Sequence, residues 1–361
     1  MKIGTLIGHQ ADIRTFEKSE YLPSNDFVGL EIELEGFKYY NSYKLESELW
    51  SVKEDGSLRD NGKEFIFSLP LNGKDIETAL EIFDIWVKKY TENFSAPIVS
   101  ERCSIHVHVD VRDLERKELY MFMMYYLSLE RLLFVYSGKG RYENNYCTPI
   151  HLSSDFESRL SRLNSGSSDN FVMALDSSKY AAANTTSVRE RGSVEIRTHE
   201  GTYDIDRILE WIYILLSIKK ASRNNNIPFQ DFPVLVSDTG PIEFIRQIFG
   251  DEITDKLTYQ GFQFDLWKGI RDAQDVIYYN MLYDVNSYYL STRKKFIKGR
   301  SLIEDFAKKH NIKIESENAE EKKSSIRTVK NTIGVEEFIQ QPMFNLNVEN
   351  EEEIDEPEDE F

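Results

Sequence analysis

The sequence predicts an α+β fold in which one face of a β-sheet packs on helices and the other face is polar. Two observations favour this class. Several short segments alternate apolar and polar side chains with a period of two, which is typical of half-buried strands. Longer segments between and after them repeat apolar side chains at helical spacing. Strand side chains alternate between faces, so strands of this kind that pair in one sheet would gather their charged residues on one side.

The clearest strand is the segment SIHVHVD, which contains two histidines one residue apart. Its isoleucine and valines point into a core, so His106 and His108 share the opposite face. Two imidazoles on one strand face are suited to metal ligation, phosphate contact or proton transfer.

Three more segments show the same alternation: residues 27–35, 64–70 and 193–199. A sheet built from these strands would collect the following side chains on its polar face: Glu31, Glu33, Glu64, His106, His108, Glu195 and Arg197. Three or more ionised carboxylates in one place need cations to offset their repulsion. Carboxylate-rich sites with a few imidazoles suit Mg²⁺ or Mn²⁺ rather than structural zinc.

Four motifs resemble, in order and spacing, those of the putative amidoligase family: GLEIELEG (29–36), KEDGSL with GKEFIFSLPL (53–71), IHVHVD (105–110) and VEIRTHEGTYD (194–204). The resemblance covers about residues 27–217. That family belongs to the glutamine synthetase and glutamate–cysteine ligase superfamily. The resemblance therefore implies a glutamine synthetase-like antiparallel sheet, with helices on one face and the active site on the other. It also implies ATP-dependent amide bond formation through an acyl-phosphate, with Mg²⁺ or Mn²⁺.

The resemblance carries roles to particular positions of this chain. It implies these metal ligands: Glu31, Glu33, Glu64, His106 and Glu195. It implies contacts with the nucleotide for His106, His108, Lys179, Asn184 and Arg197. It implies catalytic roles for Arg197, Arg141 and Glu64. The chain contains no Gly-x-x-x-x-Gly-Lys-Ser/Thr loop, so metal and arginine are expected to bind the phosphates. One departure from the family pattern is Lys63, which stands where an apolar residue is more usual.

Each assignment has a structural alternative. A Glu-x-Glu pair such as Glu31 and Glu33 is, taken alone, usually a solvated strand face. Glu195 and Arg197 could form a salt bridge within the sheet. Arg141 follows a helix end, where its charge could complement the helix dipole.

Three further positions also stay open. Lys179 and Asn184 fit a structural role as well as a nucleotide contact. The sequence Asp55-Gly56-Ser57 is by default a turn, which the resemblance puts at the edge of the site.

Two other functions remain open. A metal-dependent hydrolase could use the same ligands to activate water, because ligands alone do not name the reaction. The chain could also be a catalytically inactive scaffold of the same fold, although the complete polar set speaks against a decayed site. Dependence on ATP separates ligase from hydrolase.

The composition limits the classes of partner and the compartment that we expect for this protein. A net charge of −18 argues against nucleic-acid binding, which needs clustered Lys and Arg. Two cysteines fit a reducing compartment, and no signal peptide or membrane span is evident, so we expect a cytoplasmic protein. The expected partners are small-molecule or peptide carboxylates and amines.

Helical spacing predicts helices over 74–94, from an N-cap at Asp113 through Ser137, and from a cap at Asp204 over 205–223. The stretch 139–193 is polar and is predicted to be rich in loops. The predicted organisation is a lead-in (1–26), a catalytic core (27–225), a mostly helical extension of the same domain (226–314) and a polar to acidic, disordered tail (315–361).

Overall fold

The computed structural model describes residues 1–283, apart from 12, 13, 15, 16, 143, 154, 155, 164–170, 172, 173, 225–235 and 237, together with residue 308. The strands in this part of the chain are β1 (Val28–Leu34), β2 (Trp50–Glu54), β3 (Lys63–Phe67), β4 (Ser104–Asp110), β5 (Ala183–Asn184) and β6 (Ser193–Glu200). Its α-helices are α1 (Ile3–Ile7), α2 (Lys74–Asn93), α3 (Arg116–Ser137), α4 (Phe156–Leu163), α5 (Thr186–Arg191), α6 (Ile205–Asn224), α7 (Pro241–Phe249), α8 (Asp251–Leu257) and α9 (Phe262–Tyr283).

The strands form one six-stranded antiparallel sheet in the order β2-β3-β1-β4-β6-β5. The four strands predicted from alternation are its four central ones, so the predicted α+β class is confirmed. The two edge strands were not predicted. β5 has only two residues, and β2 is only partly buried, so neither shows a clear alternation.

Helices cover the apolar face of the sheet. On one half, Phe65 of β3 packs against Phe83 and Trp86 of α2. On the other half, the Tyr126 hydroxyl of α3 lies 2.7 Å from the Thr198 hydroxyl of β6. The alternating valines and isoleucines of β1 and β4 are fully buried in this layer, which leaves the opposite face for the polar residues.

Two predicted helix starts have different outcomes. Asp204 caps α6 as predicted, because its Oδ1 accepts the backbone N–H of Asp206 at 3.1 Å. Asp113 does not cap α3. A capping box between Glu115 and Glu118 takes that role, so the helix starts at Arg116. The Asp113 carboxylate is instead bound by basic side chains of α6.

The polar stretch 139–193 is more regular than predicted, since it contains α4, α5 and β5. Part of this stretch, including the sequence Ser165-Gly166-Ser167-Ser168 that is predicted to form a loop, lies outside the described residues. Helices α7, α8 and α9 lie in the predicted helical extension. The predicted tail at 315–361 also lies outside the described residues. Among the described helices, none combines the length and the apolar character that crossing a bilayer requires.

Candidate active site

Strand register places the predicted polar residues side by side across four strands. Glu33 of β1 pairs with Glu64 of β3, and Glu31 pairs with His106 of β4. His108 then pairs with Glu195 of β6. Neighbouring strands are about 4.8 Å apart, so these side chains occupy a patch about 15 Å wide. The alternation read from the sequence therefore produces one continuous polar surface.

Glu31 lies at the centre of this patch, between the two histidines. Its Oε2 is 3.0 Å from His106 Nδ1, and its Oε1 is 3.2 Å from His108 Nε2. Burial raises the pKa of Glu31, but the hydrogen bonds from both imidazoles outweigh that effect and hold its pKa well below the usual range. Glu31 is therefore an ionised carboxylate in a largely buried position.

Glu33 and His106 are connected through Ser104. The Ser104 hydroxyl donates to Glu33 Oε2 and lies 2.7 Å from His106 Nε2. Both ring nitrogens of His106 thus have partners within the protein, one at Glu31 and one at Ser104. This arrangement fixes the orientation of the imidazole.

Glu195 is held from two sides. Asn184 of β5 donates to its Oε2 at 2.8 Å, and Arg197 donates to its Oε1. Burial raises the pKa of Glu195, but the charges of His106 and Arg197 together lower it by more than burial raises it. The net shift of the pKa is therefore downward. The structure shows Asn184, predicted to contact the nucleotide, as the residue that orients Glu195.

Two groups of side chains bring their possible ligand atoms close enough together that each could hold a divalent cation. The first triad, as we name it, is Glu31, His108 and Glu195, and the second triad is Glu33, Asp55 and Glu64. In each triad, one ligand atom from every residue lies within 4.8 Å of the others. Carboxylate oxygens with a single imidazole suit Mg²⁺ or Mn²⁺, so the donor set fits the predicted metals.

The second triad contains Asp55, which the sequence predicts to lie in a turn. Asp55 does form that turn, because its Oδ1 accepts the Ser57 N–H at 2.7 Å. It also faces Glu33 and Glu64. Burial and the charges of Glu31 and Glu33 raise the pKa of Glu64 to about 7, which marks the repulsion that a cation would relieve.

Comparison with known proteins identifies the family of the chain. A family model described as "putative amidoligase enzyme" matches residues 24–219. The chain belongs to this amidoligase family. The match contains both triads and all central strands of the sheet, so the resemblance inferred from the four motifs is confirmed. No curated protein matches the chain.

Two of the predicted site residues, Arg141 and Lys179, make no direct contact with either triad among the described contacts. Arg141 is buried and donates through Nη2 to the backbone carbonyl of Arg197 at 2.9 Å. The Lys179 ammonium lies 4.8 Å from the centre of the Tyr180 ring. Among the described contacts, none joins either side chain to a triad, and His106 belongs to neither triad.

The departure at Lys63 has a local explanation. Its buried side chain passes the Tyr40 ring, with the ammonium 5.4 Å from the ring centre, and ends on Glu54 at 2.7 Å. The aliphatic part of the lysine thus fills the place of the apolar residue more usual in the amidoligase family, and its charge is neutralised at the sheet edge.

Sequence reasoning missed Arg191 at the end of α5. Its Nη1 lies 3.4 Å from both Glu31 Oε1 and His108 Nε2. A basic residue at a helix C-terminus is ordinary, because it complements the helix dipole. The sequence therefore contains no signal that would single this arginine out.

Gly29 makes room for the first triad. It lies opposite His108 in the register of β1 and β4, and a Cβ atom at this position would be 3.2 Å from the His108 Cβ. Such a contact is tighter than ordinary packing, so the glycine lets His108 lie close to β1 beside Glu31.

Proposed function

We propose that this amidoligase is an ATP-dependent carboxylate–amine ligase, which forms an amide bond through an acyl-phosphate with Mg²⁺ or Mn²⁺ bound. The observation that carries the proposal is the pair of adjacent triads on one sheet face, bordered by arginines. Phosphoryl transfer needs little covalent help from the protein. It needs cations placed around the phosphates and a positioned acceptor.

The two triads are proposed to hold the metal ions. When bound, divalent cations neutralise the charge that develops on the transferred phosphoryl group. The carboxylates of Glu31 and Glu33 are each oriented by a side chain of β4, and Glu195 is oriented by Asn184. Preorganised ligands of this kind keep the site ready without rearrangement of the sheet. His106 acts in this proposal by fixing Glu31.

Arg197 is proposed to bind the transferring phosphoryl group or the substrate carboxylate. Its guanidinium forms an ion pair with Glu195, and its Nε donates a hydrogen bond to the Tyr146 carbonyl at 3.4 Å. These two contacts define the position of the side chain. Arginine binds planar oxyanions through two parallel hydrogen bonds. Arg141 contributes indirectly, because it holds the backbone of Arg197.

The substrates are proposed to be a small-molecule or peptide carboxylate and an amine. The carboxylate oxygen attacks the γ-phosphorus of ATP and ADP leaves. The amine nitrogen then attacks the acyl carbon, phosphate leaves with the C–O electron pair, and the nitrogen loses a proton. No covalent enzyme intermediate is required.

The test uses hydroxylamine as a general amine. The protein, Mg-ATP and pooled amino acids and peptides are incubated with hydroxylamine, which converts an acyl-phosphate to a hydroxamate. We expect hydroxamate and ADP in equal amounts, and loss of both in the Glu195→Gln variant. Glu190→Gln is the matched control, because Glu190 is an exposed carboxylate on α5 outside both triads. Amide hydrolysis by the protein without ATP would contradict the proposal and favour a hydrolase.

A further inference from the structure

Arg191 lies beside the first triad and contacts two of its residues. It is the last residue of α5, and Gly192 follows with a φ of 76° before β6 begins at Ser193. This left-handed residue lets the helix end directly beside the sheet. As a result the Arg191 guanidinium contacts Glu31 Oε1 and His108 Nε2, and so lies against two of the three residues of the first triad.

The contact of Arg191 is weak. Its Nη1 lies 3.4 Å from Glu31 Oε1, at the long end of the hydrogen-bond range, and equally far from His108 Nε2, which donates to Glu31 and so accepts no hydrogen bond from the arginine. The arginine side chain is 61% exposed. Exposed ion pairs contribute little because water screens them and a long side chain must be held in place. Arg197, by contrast, is only 16% exposed and is held by Glu195. The guanidinium of Arg191 can therefore leave Glu31 at small cost.

A guanidinium and a divalent cation cannot share these atoms. Both carry positive charge, and at a few ångströms they repel each other. The Glu31 carboxylate is largely buried, with its side chain 12% exposed, and it is a group that either cation would contact. In the absence of metal, the arginine adds to the two imidazoles as a counter-ion that partly offsets this buried charge.

We propose that Arg191 is an exchangeable counter-ion and a ligand-binding residue. Its guanidinium occupies the first triad in the metal-free protein, leaves when a divalent cation binds there, and then binds an anionic oxygen of the metal-bound triphosphate. The second step rests on the proposed function. The planar fork of donors of arginine matches phosphate oxygens, and an exposed side chain can move to them.

Arg189 provides a matched control on the same helix. It lies two residues before Arg191, is 49% exposed and forms an ion pair with Asp176 at 3.2 Å. Arg189→Gln and Arg191→Gln each remove one exposed positive charge from α5. Only Arg191→Gln removes a group that contacts the first triad.

The experiment is calorimetry on the full chain with two probes, Mn²⁺ alone and inorganic triphosphate in saturating Mn²⁺. For Arg191→Gln we expect Mn²⁺ to bind about two- to fivefold more tightly, since a weak competing ion pair is gone. We expect triphosphate to bind about tenfold more weakly, since a charge-assisted hydrogen bond is lost. Arg189→Gln should stay within about twofold of the wild type with both probes, and thermal melts establish that both variants fold.

Opposite changes for the two probes are the signature of the proposal. Unchanged or weaker Mn²⁺ binding by Arg191→Gln would overturn the counter-ion role. Triphosphate affinity equal to that of Arg189→Gln would overturn the ligand-binding role. A wild-type protein that binds Mn²⁺ but no triphosphate would overturn both the proposed function and the ligand-binding role. The Mn²⁺ titration would still decide the counter-ion role in that case.

Discussion

Two glutamates of one patch have opposite electrostatic environments. Glu31 lies between two imidazoles, which lower its pKa, whereas Glu64 is half-buried beside other carboxylates, which raise its pKa to about 7. The difference comes from register, because Glu31 pairs with His106 while Glu64 pairs with Glu33. In the metal-free protein, carboxylate repulsion is therefore concentrated at Glu64.

Glu64→Gln is expected to stabilise the metal-free protein at high pH. The folded pKa of about 7 lies above the ordinary value of 4.5, so ionising Glu64 costs stability as pH rises through this interval. With EDTA present, the variant should melt at a higher temperature than the wild type at about pH 8 and at an equal temperature near pH 4. Scanning calorimetry measures both, with Glu48→Gln as an exposed control. A lower melting temperature of Glu64→Gln at about pH 8 would contradict the assignment.

Only part of this site could be predicted from the sequence. Period-two alternation identified Glu31, Glu33, His106 and Glu195, because each lies on the polar face of a strand. The resemblance placed Asp55 only at the edge of the site, and nothing identified Arg191, because one lies in a turn and the other at a helix end, where no periodicity applies. Their contacts depend on long-range pairing of strands, which local pattern does not encode.

At the scale of elements, a partly buried cluster of charges joins the segment before β1 to α6 and to the loop before α3. Lys219, only 1% exposed, donates to Asp26 Oδ1 at 2.7 Å and to Asp113 Oδ1 at 3.0 Å. Arg223 binds both carboxylates as well. Burial raises the pKa of Asp26, but Lys219 and Arg223 outweigh it and lower the pKa to about 2.

Asp26→Asn is expected to reduce the free energy of unfolding by about 3 kcal/mol, because it leaves buried positive charge without its nearest partner. The folded pKa of about 2 lies below the ordinary 3.8, so the contribution is complete above about pH 4 and is lost as pH falls toward 2. The difference from the wild type should shrink over that interval. Urea unfolding at several pH values measures it.

The control for this cluster is Asp84→Asn, which breaks an exposed pair with Lys88 on α2 and should cost less than about 0.5 kcal/mol. An Asp26→Asn effect no larger than that of the control would contradict the role given to the cluster. Sequence reasoning assigned Asp113 to a helix cap, because local rules favour aspartate before a helix. The tertiary partners from α6, more than a hundred residues later, were not visible in the pattern.

At the scale of the whole molecule, strand order differs from chain order. Strand β1 lies between β3 and β4, and β6 lies next to β4, so the polar residues of distant segments become neighbours. The sequence indicated which face each strand would bury, but not this order or the register. Both the strand order and the register came from the structure.

The acidic tail is a second whole-molecule feature, predicted from the sequence. Nine carboxylates lie between Glu349 and Glu360, with little apolar surface to bury. Deleting residues 349–361 should leave the apparent KM of the carboxylate substrate unchanged when the reaction is followed by ADP release. A several-fold drop in KM would show instead that the tail competes with substrate as a tethered carboxylate.

The central claim is that the polar face of the sheet binds ATP through divalent metal. Isothermal titration calorimetry of Mg-ATP tests it most directly, on the wild type, on Glu31→Gln and Glu33→Gln, and on the control Glu48→Gln. Glu48 is an exposed carboxylate shortly before β2, outside both triads. We expect Mg-dependent binding by the wild type and the control, and none by the two triad variants. An unchanged dissociation constant in both triad variants, or no Mg-dependent binding by the wild type, would contradict the account.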